Sequence, residues 1–593
     1  MEDYLSIRAL GARSDVPRQV RAQWAGIQRA ALQKVLDASS VEEANAAMFD
    51  FMTLPNRWLP RRCATRRVID HFKQNKPFNV ERPKATDKVE KQKHKRLAEI
   101  VTRKAKDFNI RGAVDVLRHE AETPSTLNEE ERFAALRKKF YEQEKVELKR
   151  ELKDENLPMM PASVLESVVK KMKRTAAPCI DGWCKAMVSD AFVDEPELIN
   201  LWCALLTRLL RGQIGPLVMA CLKLARLVPI PKPCGGVRPI AVSNFILKMM
   251  GAAALQLDGA ACREWQYAIG NKAGTRIIAH KLREHKEKGH TIAKFDLSNG
   301  FGELPRRIVE HLLASRQSPW LKAYFRLYAC GPRTMAVFGS NGVRTFHVAD
   351  GFCQGDATSC FFFCLGIDYA IEKILQQAQQ AGIEVQGVYA FVDDISWALK
   401  SAADAARLAQ IVKTVFAEMH MQINLSSSKS ACMIPEADPY WSMPELQEQF
   451  RLLNYHTQNT HEGFVVVGAD ISNNPIQFLN DYALKQLKFF DLLTNVDLHP
   501  AILFTILRTC GSPRLEYLCS VMPPSQKLRE VAARFDDLIL RTVNSPALLG
   551  GLLRQGHHDL LWDMKGAGFP RYATLCGELY ETSIVNIQTK YCA

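Results

Sequence analysis

Short apolar runs broken by turn residues fill the middle of the chain, whereas both ends carry the three-to-four-residue spacing of amphipathic helices. Residues 387–392 and 395–399 are rich in β-branched and aromatic residues and read as two strands, joined by Asp393 and Asp394 at a tight turn. Upstream, Thr291 to Asp296 is a short apolar strand ending in an aspartate, followed by turn residues and the aromatic Phe301. Leu227 to Val242 reads as two short strands around the Gly235-Gly236 turn. Phe464 to Ala469 is an apolar strand followed by glycine, which suits a hairpin or a sheet edge. A glycine turn at Gln354-Gly355 leads to Thr358 or Ser359 as N-cap and then a long apolar helix to about Gln379. Helical stretches are also expected at Val20–Leu32, 484–493, 501–510 and 527–543.

Composition narrows the class. A chain of 593 residues with 47% hydrophobic residues can bury several cores and should form three or four lobes. The formal net charge of +14 suits a partner made of phosphates. Residues 81–155 are dominated by lysine, arginine and glutamate, which fits a solvated helix or linker, and also RNA contact or a nuclear localisation signal. The sixteen cysteines are scattered through apolar runs with no zinc-ligand spacing, and they read as reduced, buried thiols of an intracellular protein. The N-terminus lacks an apolar leader, and no stretch is apolar for long enough to span a bilayer, so no membrane partner is expected.

The candidate chemistry lies in the carboxylates. Asp393 and Asp394 side by side repel each other, and a partly buried pair is tolerable only if one is protonated or a cation neutralises them. Asp-Asp is also an ordinary solvated turn; a third carboxylate, Asp296, at a strand end is what favours a divalent metal site. Two such ions about 3.5 to 4 Å apart can clamp the attacking and leaving oxygens of an in-line phosphoryl displacement.

The order of these elements resembles the reverse transcriptase of a non-LTR (LINE-type) retrotransposon. Asp296 with Phe301 is similar to the first palm motif, Gln354-Gly355-Asp356 to the second, Phe391-Val392-Asp393-Asp394 to the Tyr/Phe-x-Asp-Asp box, and Ile423 to Lys429 to the fourth. Leu227 to Val242 resembles the fingers hairpin, and Thr175 to Trp183 the segment preceding it, although Pro178 and Cys179 depart from the usual pattern. The resemblance spans roughly residues 170 to 545 and implies an α+β right-hand polymerase with a helical N-terminal extension. Its expected divisions are a helical lobe at 1–80, the basic linker or helix at 81–155, fingers at 156–290, a palm at 291–475 and a helical thumb at 476–593, with the reverse transcriptase domain at about 210–475.

What the resemblance implies about the site follows residue by residue. Asp296, Asp393 and Asp394 are the expected catalytic ligands of two magnesium ions, with manganese an alternative. Lys232, Arg238, Leu297, Phe301, Gln354, Gly355 and Lys429 are expected around the incoming nucleotide. Within that set Phe301 crowds the sugar 2′ position or is simply a core phenylalanine, and Lys429 is a general acid at the leaving pyrophosphate or a surface lysine. Val467 and Gly468 are expected to grip the primer. The implied partners are template RNA, a DNA primer or target DNA, and deoxynucleoside triphosphates, in the nucleus or cytoplasm.

Neither a target-nicking endonuclease nor an RNase H domain is expected from the sequence. Three other readings remain open: a non-catalytic nucleic-acid scaffold with this fold, a group II intron maturase-like enzyme, or another RNA-templated polymerase. Retention of all three aspartates speaks against the scaffold, and Phe301 speaks against an RNA-synthesising polymerase.

Overall fold

The computed structural model describes residues 12–13, 15–60, 63–78, 93–106, 110, 112–114, 128–143, 152, 156–173, 179–231, 236–339, 342–553, 557–563 and 567–591. The fold mixes helix and sheet. The strands are β1 (Ala225–Pro231), β2 (Val237–Ser243), β3 (Thr291–Phe295), β4 (Arg333–Gly339), β5 (Gly342–Val348), β6 (Val385–Phe391), β7 (Asp394–Leu399), β8 (Ala431–Ile434), β9 (His456–Asn459), β10 (Val465–Val466) and β11 (Ala469–Asp470).

A five-stranded sheet in the order β6-β7-β3-β8-β9 carries the centre of the molecule. Its three central strands, β7, β3 and β8, read as near-continuous apolar runs because both their faces are buried. Ala293, Phe295, Ile395, Trp397 and Leu399 face one core with the long helix Ser359–Gln380 and the helix Ala402–Glu418. Ile292, Tyr389, Ala431 and Met433 face another, formed with Ile278 and Leu282 of the helix Gly274–Glu287. Register between β3 and β7 runs antiparallel from Thr291↔Leu399 to Phe295↔Ile395, and one step further sets Asp296 opposite Asp394.

The hairpin itself departs from expectation by one residue. Phe391 pairs with Asp394, so Asp394 opens β7 and the two-residue turn is Val392-Asp393 rather than Asp393-Asp394.

A second sheet, in the order β2-β1-β4-β5, contains the expected hairpin, with Ala225↔Ser243 to Pro231↔Val237 in antiparallel register. Part of the charged stretch joins it. The helix Glu129–Arg137, closed by a capping box between Asn128 and Glu131, buries Phe133 and Leu136, with Phe140 beyond its end, against Phe346 and Val348. Arg344 lies over the Phe133 ring at 3.8 Å. The apolar spacing 133, 136, 140 is helical, and the surrounding lysines and glutamates keep the other face wet.

The N-terminal helices Arg21–Leu36 and Val41–Trp58 share one core with Lys185–Asp194 and Leu198–Leu210, through Trp24, Phe51, Trp183 and Trp202. Trp24 and Gln28 both donate to the Met187 carbonyl, at 3.0 and 2.9 Å. The C-terminal helices Ile476–Asn495, Gln526–Val543 and Tyr572–Tyr591 form a separate core. Buried Arg283 ties that core to the rest, donating to the carbonyls of Asp470 (2.6 Å) and Val521. All cysteines among the described residues are free thiols, and no helix there is long and apolar enough to cross a membrane.

Asp181 should give the fold a pH dependence. Its fully buried carboxylate accepts the Phe245 amide at 2.8 Å, at the start of the helix Phe245–Asp258, and burial pushes its pKa up to about 7 against the Phe245 hydrogen bond and the Lys248 charge. Between pH about 4 and about 7 the folded chain therefore holds a proton that the unfolded chain has lost, so this group's contribution to stability falls as pH rises through that window. The stability of Asp181→Asn relative to wild type should rise by a few kcal/mol from pH 4 to pH 7 and stay level above it, read from urea midpoints.

Candidate polymerase active site

Three carboxylates converge where the central sheet ends. Asp296 follows β3, with its amide donating to Ser430 Oγ at 3.1 Å and its carbonyl accepting the Asn424 amide at 2.9 Å. These bonds, with the Leu297↔Ile423 bridge, pin the strand end to the segment after Met421. Asp393 and Asp394 arrive on the β6–β7 hairpin. Burial, followed by the charge of Asp296, raises the Asp393 pKa. The Asp394 carboxyl reaches solvent on one side, yet the crowding of the protein on its other sides, followed by Asp393 and Asp296, pushes its pKa up to about 6.

Cations stand beside this cluster. Lys429 Nζ lies 3.3 Å from Asp296 Oδ2. Partial burial alone would lower the Lys429 pKa, but the charges of Asp296, Asp394 and Asp393, with the hydrogen bond to Asp296, raise it overall. Arg238, exposed on β2, is close enough for its charge to stabilise ionised Asp393. Lys232 lies outside the described residues.

Lys294, two residues before Asp296 and on the same face of β3, has no counterpart among the residues expected from sequence. Its ammonium donates to the carbonyls of Val465 (3.0 Å) and Ser428 (3.4 Å) and stands 4.7 Å from the Phe464 ring centroid. It thereby connects the strand of Asp296 to the β10–β11 hairpin. Val467 and Gly468 form that hairpin's turn, both at positive φ (45° and 82°), and Tyr517 from the C-terminal helices donates to the Val467 carbonyl at 2.7 Å.

Leu297 is 4% exposed, its side chain in the core, so only its main chain can face a ligand. Phe301 is half-buried, stacked on Phe363 at 4.4 Å between centroids, and its carbonyl accepts the Phe352 amide at 2.6 Å. The segment 128–143 braces this turn: Asn299 donates to the Lys139 carbonyl at 2.9 Å, and the Tyr141 hydroxyl donates to Glu303 at 2.8 Å.

Gln354 and Gly355 run beside β2, the strand of Arg238. The Gln354 carbonyl accepts the Ala241 amide at 2.7 Å, and Gln354 bridges Ile240 in parallel. Gly355 has φ +108°, and a Cβ there would stand 2.5 Å from the Ala241 carbonyl oxygen. Gly355→Ala should therefore push the turn off β2, checked by quickened hydrogen exchange over residues 350–358 beside a thermal scan. Asp356 faces inward, in a buried ion pair with Arg333 and a hydrogen bond from Ser243.

The donor set is all oxygen, which fits a hard divalent cation. Among the described residues no three His, Cys, Asp or Glu side chains close into a ready-made cage.

No curated protein matches the chain. Residues 230–479 match the sequence model of the reverse transcriptase (RNA-dependent DNA polymerase) family, a span that begins on β1 and ends inside the helix Ile476–Asn495, with Asp296, Asp393 and Asp394 all within it. The chain thus carries a reverse transcriptase domain and is by class an RNA-directed DNA polymerase, a nucleotidyltransferase.

Proposed function

We propose that this chain is the reverse transcriptase of a non-LTR (LINE-type) retrotransposon, copying RNA into DNA from a primer 3′-hydroxyl. The observation that carries the reading is the convergence of Asp296, Asp393 and Asp394, flanked by Arg238 and Lys429, inside a reverse transcriptase domain. In this reading the β1–β2 sheet is the fingers, the five-stranded sheet the palm, and the C-terminal helices the thumb.

Asp296, Asp393 and Asp394 would hold two divalent cations, which when bound lower the pKa of the primer hydroxyl and neutralise the triphosphate. The surrounding residues do the rest. Arg238 and, by the resemblance, Lys232 would bring positive charge to the triphosphate, and Lys429 would give a proton to the departing pyrophosphate. Phe301, fixed by its stack on Phe363, presents a rigid edge to the sugar, which favours deoxynucleotides. Gly355 allows close approach of a base pair, and the Val467-Gly468 turn, held by Tyr517 and Lys294, supports the primer end. A cleft of about 640 Å³ beside Gly355, lined by Lys171, Lys173 and Lys248 among others, offers cations to a template strand.

Target-primed synthesis tests the non-LTR assignment. The protein should extend the 3′-hydroxyl at a pre-made nick in duplex DNA on an RNA that does not pair with that end. Extension only from fully annealed primers would favour the maturase-like or other polymerase readings.

A further inference from the structure

The catalytic turn is strained, and one buried side chain holds it. Val392 has φ +61°, a region where a β-branched residue is a genuine outlier. In a two-residue hairpin turn, positive φ at the first central position is ordinarily left to glycine. Such a conformation persists only where the surroundings impose it.

Those surroundings centre on Gln266, whose side chain is 2% exposed. Its Oε1 accepts the Val392 amide at 3.0 Å and the Ala268 amide at 3.3 Å. The backbone on either side is laced to β6: the Ala390 amide donates to the Trp265 carbonyl and the Tyr267 amide to the Ala390 carbonyl, both at 2.8 Å. Gln266 is itself fixed from the long helix Ser359–Gln380. Buried Asp368 on that helix accepts the Arg263 amide at 2.9 Å and the Trp265 indole at 3.0 Å, and Arg263 pairs with Glu372 one turn on. A chain of contacts therefore runs from the core helix through Gln266 to the amide immediately before Asp393.

We propose that Gln266 is a positioning residue for the catalytic hairpin: its side-chain carbonyl holds the Val392 amide and so keeps the left-handed turn that aims Asp393 and Asp394 at the cations. The geometry of the clamp is independent of any ligand. Its consequence for catalysis rests on the polymerase reading above, through the same two carboxylates. The bond is neutral and local, so loss of the acceptor should loosen the turn and leave the sheet intact, whose strands are held by the β3–β7 ladder.

A double-mutant cycle with Val392→Gly tests the clamp, because glycine adopts positive φ without restraint. Gln266→Met keeps the side-chain length and removes the acceptor. In the full-length, metal-free protein, amide exchange across residues 388–396 should quicken about tenfold in Gln266→Met, and Mn²⁺ affinity, read by electron paramagnetic resonance, should fall by about tenfold to a hundredfold. Single-turnover incorporation should slow in parallel while primer–template affinity stays within about threefold of wild type. Adding Val392→Gly to Gln266→Met should restore Mn²⁺ binding and incorporation to within about threefold of Val392→Gly alone.

Unchanged exchange and Mn²⁺ affinity in Gln266→Met, or effects of the two substitutions that simply add, would overturn the proposal. If Gln266→Met does not fold, Gln266→Leu removes the same acceptor without adding a charge and should quicken exchange across residues 388–396; unchanged exchange there would also overturn it. Wild-type protein that incorporates nothing would refute the polymerase reading, and exchange with Mn²⁺ binding would still decide the role of Gln266.

Discussion

Asp393→Asn is expected to reduce nucleotide addition by at least about a thousandfold without lowering the thermal stability of the metal-free protein. Asparagine keeps the shape of the side chain and removes the charge, so a cation loses an anionic ligand while the turn keeps its packing. Burial disfavours the charges of Asp393 and Asp394, and the like charges of Asp296, Asp393 and Asp394 add repulsion, both of which raise the pKa values of Asp393 and Asp394. Removal of one charge relieves that repulsion, so the unfolding temperature should hold or rise. Single-turnover incorporation and a thermal scan in chelator check both halves. A variant that loses activity and also melts well below wild type would make Asp393 a structural residue.

The second large effect is expected at Asp356, behind the catalytic surface. Arg333 and Asp356 are both almost fully buried and paired, with Arg333 also donating to the Lys223 carbonyl at 3.1 Å and to Ser243 Oγ at 3.3 Å. Burial by itself disfavours the Arg333 charge, and Asp356 more than offsets it. Asp356→Ala would strand a buried guanidinium, at a cost of about 3–5 kcal/mol. It would also release residues 350–358 from β2, and with them Gln354 and Gly355. The double variant Arg333→Met/Asp356→Ala should be more stable than Asp356→Ala alone, because no unpaired charge remains. Thermal scans of the three proteins, with hydrogen exchange over residues 350–358, decide it; equal losses in single and double variants would show that the ion pair is not what anchors the turn.

Much of this site is legible in the sequence because its parts are local. An aspartate at the end of an apolar strand, two more beside a hairpin turn, and a glycine turn before a long helix are each short-range patterns, and the helices at Ser359–Gln380 and Gln526–Val543 follow the expected periodicity closely. The turn itself is not: its centre falls on Val392-Asp393 because Asp394 pairs with Phe391, and a valine at positive φ carries no turn signal. Lys294 could have been found from its alternation with Asp296 on one strand face. Gln266 could not, since it lies 126 residues from the amide it holds. The packed helix Glu129–Arg137 is hidden in a charge-rich stretch, yet the 133, 136, 140 spacing is the one signal that separates it from a solvated linker.

Incorporation of a single deoxynucleotide tests the central claim most directly. Purified protein with a DNA primer annealed to an RNA template, magnesium and one complementary deoxynucleoside triphosphate should lengthen the primer by one residue, and Asp393→Asn should not. A folded wild-type protein that binds the primer–template and leaves the primer unextended with magnesium and with manganese would contradict the account and favour a non-catalytic scaffold.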